Sequence, residues 1–291
     1  MSVVLAAVLT LAGLALLFGL MLFGASRVFA VHEDPRVQDV AGLLPGINCG
    51  ACGFAGCEGL ANALVSAADG GDISALACPP GGDETMQSIG DYFGLEVGGA
   101  KSTVAVLRCN GSCQAAPPKV DYRGALSCSV ADITFAGSSG CAFGCLGLGE
   151  CADACPFDAI SMDTERGLPV VDAERCTSCG ICVSACPRRL FEIRPRGRRD
   201  RRVWVNCRNT EPGPVAKRNC SVACIGCGLC KKTCDTIVQA ITVEDKLAYI
   251  DHDKCIACGK CINVCPTNAI ASSFPPPPKK PKQPAQAASK E

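Results

Sequence analysis

Twenty-five of the 291 residues are cysteine, and their spacing narrows the chemistry before anything else is considered. Cys224, Cys227, Cys230 and Cys234 follow C-x2-C-x2-C-x3-C, and Cys255, Cys258, Cys261 and Cys265 repeat it, ending at Pro266. Three thiolates on so short a loop can meet one face of a cubane iron–sulfur cluster, while the fourth reaches across to a partner cluster. The spacing therefore predicts one [4Fe–4S] cluster on Cys224, Cys227, Cys230 and Cys265, and a second on Cys255, Cys258, Cys261 and Cys234. A zinc site needs only four ligands and no interleaved set of eight. Asp235 stands where the first motif would ordinarily carry proline.

An earlier stretch repeats this frame. Cys128, Cys141, Cys145, Cys151, Cys155, Cys176, Cys179, Cys182 and Cys186 each recur 79 residues later, at Cys207, Cys220, Cys224, Cys230, Cys234, Cys255, Cys258, Cys261 and Cys265. A duplication follows. The first copy has one lesion: Leu148 occupies the position of a ligand. Leucine cannot bind iron, so that cluster is either missing or completed by another thiolate. Cys141, four residues before Cys145, is the nearest, giving an expected set of Cys141, Cys145, Cys151 and Cys186. Its counterpart Cys220 sits beside a complete set, which leaves the substitution open. The partner cluster is expected on Cys176, Cys179, Cys182 and Cys155.

Upstream lies Cys49-x2-Cys52-x4-Cys57-x20-Cys78, surrounded by Gly46, Gly50, Gly53 and Gly56. Glycine lets the backbone wrap closely and donate N–H groups to cluster sulfurs. Three near thiolates and a distant one suit a single [4Fe–4S] site, with structural zinc as the alternative. Cys109, Cys113, Cys128, Cys207 and Cys220 remain; they are either free thiols or part of a further cluster drawing on Cys109, Cys113 and Cys128. The expectation is five [4Fe–4S] clusters, with a sixth open.

These motifs need elements to hold them. Residues 3–23 are uncharged and almost wholly apolar, long enough to cross a hydrocarbon core of roughly 30 Å. The run exceeds the usual h-region of a signal peptide and no basic residue precedes it, so a retained single-pass anchor is expected. Arg27 and Arg36 follow it and place the rest on the cytoplasmic side of the cell membrane by the positive-inside rule. The region from 27 to 100 is acidic, with apolar residues from Leu60 to Ala68 suggesting a short helix; Val104 to Leu107 read as a strand. The predicted fold is α+β: an anchor at 1–26, a single-cluster domain at 27–100, two tandem two-cluster modules at 101–195 and 196–272, and a disordered Pro/Lys-rich tail at 273–291. With 28 basic and 28 acidic residues, the overall charge gives no sign of nucleic-acid binding. Gly147 to Ala152 fits a dinucleotide fingerprint but sits inside a cluster loop, without a βαβ frame. Arg188, Arg189, Arg194, Arg196, Arg198, Arg199, Arg201 and Arg202 crowd the junction of the repeats, either as a solvated linker or as a patch that steers an acidic redox partner.

An anchor, then C-x2-C-x4-C-x20-C, then two-cluster ferredoxin modules is an order that resembles the RnfB family, in its long cysteine-rich form. The resemblance covers about residues 1–270 and is most specific at Asn48-Cys49-Gly50-Ala51-Cys52-Gly53 and from Gly144 to Ile160. It implies an electron-transfer subunit of a membrane-bound, Na+- or H+-translocating ferredoxin:NAD+ oxidoreductase, working with the other Rnf subunits and taking electrons from soluble ferredoxin. No residue of the chain is placed for acid–base or nucleophilic work. The rival readings are a ferredoxin-like subunit of another oxidoreductase, such as a molybdenum enzyme or hydrogenase, and a non-enzymatic redox or zinc protein. The leading anchor followed by the Cys49–Cys78 motif argues against the first.

Overall fold

The computed structural model describes residues 2–28, 34–97, 102–135 and 137–278. Most of the proline- and lysine-rich tail expected to be disordered, residues 279–291, lies outside them. Helix α1 (Ser2–Val28) carries apolar side chains all round. From Leu5 to Arg27 it is long and apolar enough to cross a membrane, and none of it is buried against the protein.

The domain that follows is helical. Helices α2 (Pro35–Leu43), α3 (Cys57–Asp69) and α4 (Gly82–Phe93) enclose a core of Val37, Val40, Leu60, Leu64, Ile73, Met86 and Ile89, with the Cys78 side chain among them. The helix expected around Leu60–Ala68 is the middle of α3. Asp34 caps α2, accepting from the Arg36 backbone N–H at 2.9 Å, and Arg36 reaches on to Asp69 at 2.8 Å, tying α2 to the end of α3.

The rest is built twice. Strand β1 (Thr103–Leu107) pairs antiparallel with β4 (Phe191–Pro195) and closes the first module. Strand β5 (Val203–Val205) pairs with β8 (Ile270–Ser272) and closes the second. Inside each lies a hairpin, β2 (Ile160–Asp163) with β3 (Leu168–Val171), and β6 (Ile241–Glu244) with β7 (Leu247–Ile250). Short helices carry the cysteine motifs: α6 (Glu150–Asp153), α7 (Ile181–Ala185), α9 (Leu229–Asp235) and α10 (Lys260–Val264). Two helices lie outside this scheme, α5 (Cys128–Phe135) in the first module and α8 (Gly213–Asn219) in the second.

The constant 79-residue offset conceals two compensating changes. In the first module Cys155-Pro156 turns back through Asp158, with φ of +48°; in the second, Cys234-Asp235 runs on as far as Gln239, with φ of +52°, before the strand begins. The two extra residues are recovered at the hairpin. Residues 164–167 connect β2 to β3, but only Asp245 and Lys246, both with positive φ, connect β6 to β7. Two residues of positive φ make the tight hairpin turn whose twist matches its strands.

Candidate metal centres

Each ligand loop in the repeats ends on a glycine with left-handed backbone, placed one residue ahead of the short helix that presents the third position. Gly149, Gly180, Gly228 and Gly259 have φ between +73° and +88°. A side-chain-bearing residue pays a steric penalty there, which is why glycine recurs. In the helical domain Asn48 does related work: its Oδ1 accepts from the Cys57 N–H at 2.8 Å, fastening the first ligand loop to the start of α3.

The structure gathers 24 of the 25 cysteines into six groups of four, which we letter A to F in spatial order. Site A is Cys49, Cys52, Cys57 and Cys78; burial holds the Cys78 thiol above its ordinary range, and the other three raise it further. Site B is Cys155, Cys176, Cys179 and Cys182, where burial and then Cys176 and Cys179 push Cys182 up to about 12. Site E is Cys224, Cys227, Cys230 and Cys265, lining one cavity. Site F is Cys234, Cys255, Cys258 and Cys261, with Cys261 pushed up to about 12, chiefly by burial.

Site C departs from expectation. Cys145, Cys151 and Cys186 share a cavity with Cys128, not Cys141. Burial, then the Cys128 and Cys186 thiols, raises Cys151 to about 12. Cys128 sits at the start of α5, whose first turn is held by Glu150: Ser127 Oγ donates to one carboxylate oxygen, and Ser129 N and Oγ donate to the other at 3.2 and 3.0 Å. Arg188 secures the same helix, bonding Asp132 at 2.7 Å and the Gly144 carbonyl at 2.5 Å. The leucine lesion is thus answered by a helix that has no counterpart in the second module.

Cys141 goes to site D, with Cys109, Cys207 and Cys220 around one cavity at the junction of the modules. Cys109 follows β1 by two residues as Cys207 follows β5, and the residue between donates to equivalent carbonyls, Arg108 N to Leu190 O and Asn206 N to Ala269 O, both at 2.7 Å. The structural counterpart of Cys207 is therefore Cys109. Cys128, which shares its spacing, lies in a 19-residue insertion (128 − 109 = 19). Site D takes two equivalent thiols from each module. Asn209 Nδ2 donates to Cys141 Sγ and Asn209 N to Cys207 Sγ, both at 3.4 Å. The further cluster expected from Cys109, Cys113 and Cys128 does not form: the three separate, and exposed Cys113 donates to the Glu165 carbonyl at 3.1 Å.

The donor set suits iron–sulfur clusters. All 25 thiols are free. Among the described residues no group of three or more His, Cys, Asp or Glu converges on a single ion. At sites C, D and E the four thiols line a cavity instead, as a multi-atom core requires. Backbone N–H groups of Gly147, Leu190, Ala240 and Ala269 aim at Cys145, Cys186, Cys234 and Cys265 sulfurs at 3.3 to 3.4 Å, the bonds by which a protein adjusts cluster potential.

Known proteins share these motifs. A family model described as a 4Fe-4S dicluster domain matches residues 142–192 and 220–272, and an Fe-S cluster family matches 44–80. The chain is 44% identical to the B component of the Na+-translocating ferredoxin:NAD+ oxidoreductase complex of Acetobacterium woodii, over 88% of this chain and 74% of that one. It is 43% identical to the B component of the ion-translocating oxidoreductase complex of Methanosarcina acetivorans, over 92% and 98% of the two chains. The proton-translocating counterpart of Clostridium ljungdahlii is 37% identical, over 90% and 89%. The chain belongs to the RnfB family. It is an electron-transfer subunit with iron–sulfur domains and a membrane-associated N-terminus. The dicluster match stops short of Cys109, Cys128 and Cys207, three of the thiols that complete sites C and D. One sequence signal for site D was present: Cys141 and Cys220 recur at the repeat offset without belonging to any C-x2-C motif.

Proposed function

We propose that the chain is the relay arm of an ion-translocating ferredoxin:NAD+ oxidoreductase, holding one [4Fe–4S] cluster at each of sites A to F. The supporting observation is the order of the sites. Cys49 of site A lies near Cys179 of site B, and Cys151 of site C near Cys182 of site B. The Cys145 N–H of site C donates to Cys109 Sγ of site D at 3.4 Å. Cys207 of site D neighbours Cys224 of site E, and Cys230 of site E neighbours Cys261 of site F. All-thiolate clusters bound there would each exchange one electron.

The thiols form one continuous series, and site D joins what would otherwise be two separate wires. Its first member, site A, belongs to the domain that follows the membrane helix. Site F lies at the other end, which fits electrons arriving from a soluble ferredoxin and leaving toward the other subunits of the complex at the membrane. Arg27 and Arg36 favour the cytoplasmic side for the soluble part and a single crossing by α1. Full-length chain purified anaerobically in detergent should contain about 24 irons with matching sulfide per chain. Zinc in place of iron overturns the relay; about 20 irons removes one site from it, which Cys→Ser variants at each site would identify.

A further inference from the structure

Between the modules, beside the loop that carries Cys255, two arginines share one carboxylate. Arg194 on β4 is 1% exposed and Arg108, just past β1, is 8% exposed. Glu192 pairs with Arg194 at 3.1 Å and with Arg108 at 3.2 Å. Tyr249 Oη donates to Glu192 at 2.9 Å, and its ring lies under both guanidinium groups, at 5.3 and 5.2 Å. Arg194 also donates to the carbonyls of Val203 at 3.2 Å and Ile250 at 3.0 Å, both in the second module.

The network carries one excess positive charge, two arginines less one glutamate. A buried charge is costly unless a counter-charge lies close by. Hydrogen bonds to carbonyls spread the charge without cancelling it. Cys255 of site F lines the same small cavity as Arg194. The connection is short: Arg194 bonds the carbonyl of Ile250, and Cys255 N bonds that of Asp251, the next residue, at 3.0 Å. An all-thiolate cluster is anionic and gains one further negative charge on reduction, so net charge is among the factors that set its potential.

Resting on the relay reading above, we propose that Arg194 is the buried counter-charge of the cluster at site F and holds that cluster's potential up relative to the same cluster without it. The repeat shows how particular the arrangement is. The residue 79 positions after Arg194 is Ser273, so the equivalent strand of the second module supplies no such cation. A raised potential at the outermost site makes it the better acceptor for an incoming electron.

The test is a redox titration of the full chain in detergent, followed by EPR, with the site F signal identified by its loss in Cys258→Ser. Arg194→Gln should move that couple to lower potential by about 59 mV, a tenfold change in the reduced-to-oxidised ratio at fixed potential for a one-electron couple. Arg194→Lys should restore most of it. Glu192→Gln, which removes the negative member of the same network, should move it the other way. A purely structural role predicts no opposition of sign between the two variants. With iron content at the wild-type level, unmoved couples or two shifts in the same direction overturn the proposal. Wild-type chain without iron would refute the relay reading, a separate failure. If Arg194→Gln fails to fold, the upward shift expected of Glu192→Gln and the nearly unmoved couple expected of Arg194→Lys still test the proposal.

Discussion

The two modules are copies of one frame that complete the same site by different means. In the second, site E draws Cys227 from its own C-x2-C-x2-C loop. In the first, Leu148 fills the corresponding position, and Cys128 arrives from an inserted helix pinned by Glu150 and Arg188. The backbone of the two loops is nevertheless alike: Gly149 and Gly228 both adopt left-handed conformations, with φ of +88° and +73°. A cluster site therefore depends on where sulfur atoms converge, and the segment supplying one sulfur is exchangeable so long as the loop keeps its shape.

The largest effect that could break this comparison is loss of a whole cluster. Cys128→Ser should remove about four irons and the site C signal, whereas Cys141→Ser should remove about four irons from site D and leave site C intact. Adding Leu148→Cys to Cys128→Ser should restore site C, because position 148 is the counterpart of Cys227. Loss of the site C signal in Cys141→Ser would reverse the assignment. A failed rescue would show that the first loop has drifted from the second.

How much of this was legible in the sequence follows from the same residues. The eight cysteines of the second module, Pro187 and Pro266 after the final ligands, and the motif at Cys49–Cys78 could be read directly, because their spacing is local. The apolar helix α1 and the helix at Leu60–Ala68 were legible from apolar patterning. Site D was not, because its members lie far apart in sequence, and site C was not, because Cys128 falls outside any C-x2-C motif. Cys109 reaches Cys145 across 36 residues and Cys220 across more, and the equal spacing of Cys128 and Cys207 pointed to the wrong pair. The arginine-rich junction also misled. It reads as one patch, yet Arg194 and Arg202 are buried and Arg188 is nearly so, leaving Arg189, Arg198, Arg199 and Arg201 exposed.

Next in size is the response of the cluster-free protein to alkali. Burial pushes Cys145 and Cys151 of the first module up to about 12, and Cys230 and Cys261 of the second to about 11 and about 12. These thiols titrate higher when folded than when unfolded, where the ordinary value is 9.0. Their contribution to stability is therefore complete below pH 9 and is lost as pH rises toward about 12. Apo protein followed by circular dichroism should unfold through that window in both modules. The iron-loaded form should not share this transition, since ligation has already removed the protons. Unfolding of apo protein that is flat from pH 8 to 11 would contradict it.

The inserted helix offers a smaller, one-sided test. Arg188 has only 6% of its side chain exposed and joins Asp132 to the loop at Gly144. Asp132→Asn should cost about 2 kcal/mol, in the range for a hydrogen bond to a charged group, and weaken retention at site C before any other site. The second module's exposed Lys231–Asp235 pair, at 2.8 Å, is its contrast. Lys231→Gln should cost about 0.3 kcal/mol and leave every cluster in place. Equal losses from the two variants would mean that α5 is not specially held.

The finest discrimination lies in the loop glycines. A Cβ at Gly228 would meet nothing within 4 Å, and one at Gly149 would meet only Met162 Cγ at 3.6 Å, an ordinary contact. Neither substitution creates a clash, so the cost of alanine comes from the left-handed backbone alone, about 1 kcal/mol at each site. If Gly149→Ala and Gly228→Ala lower stability equally by denaturant unfolding of the iron-loaded protein, the two loops are held in the same shape, and Leu148 altered the ligand set without altering the frame. A cost confined to Gly228 would mean that a loop relieved of one ligand relaxes, with Cys128 serving a looser site than its counterpart in the second module.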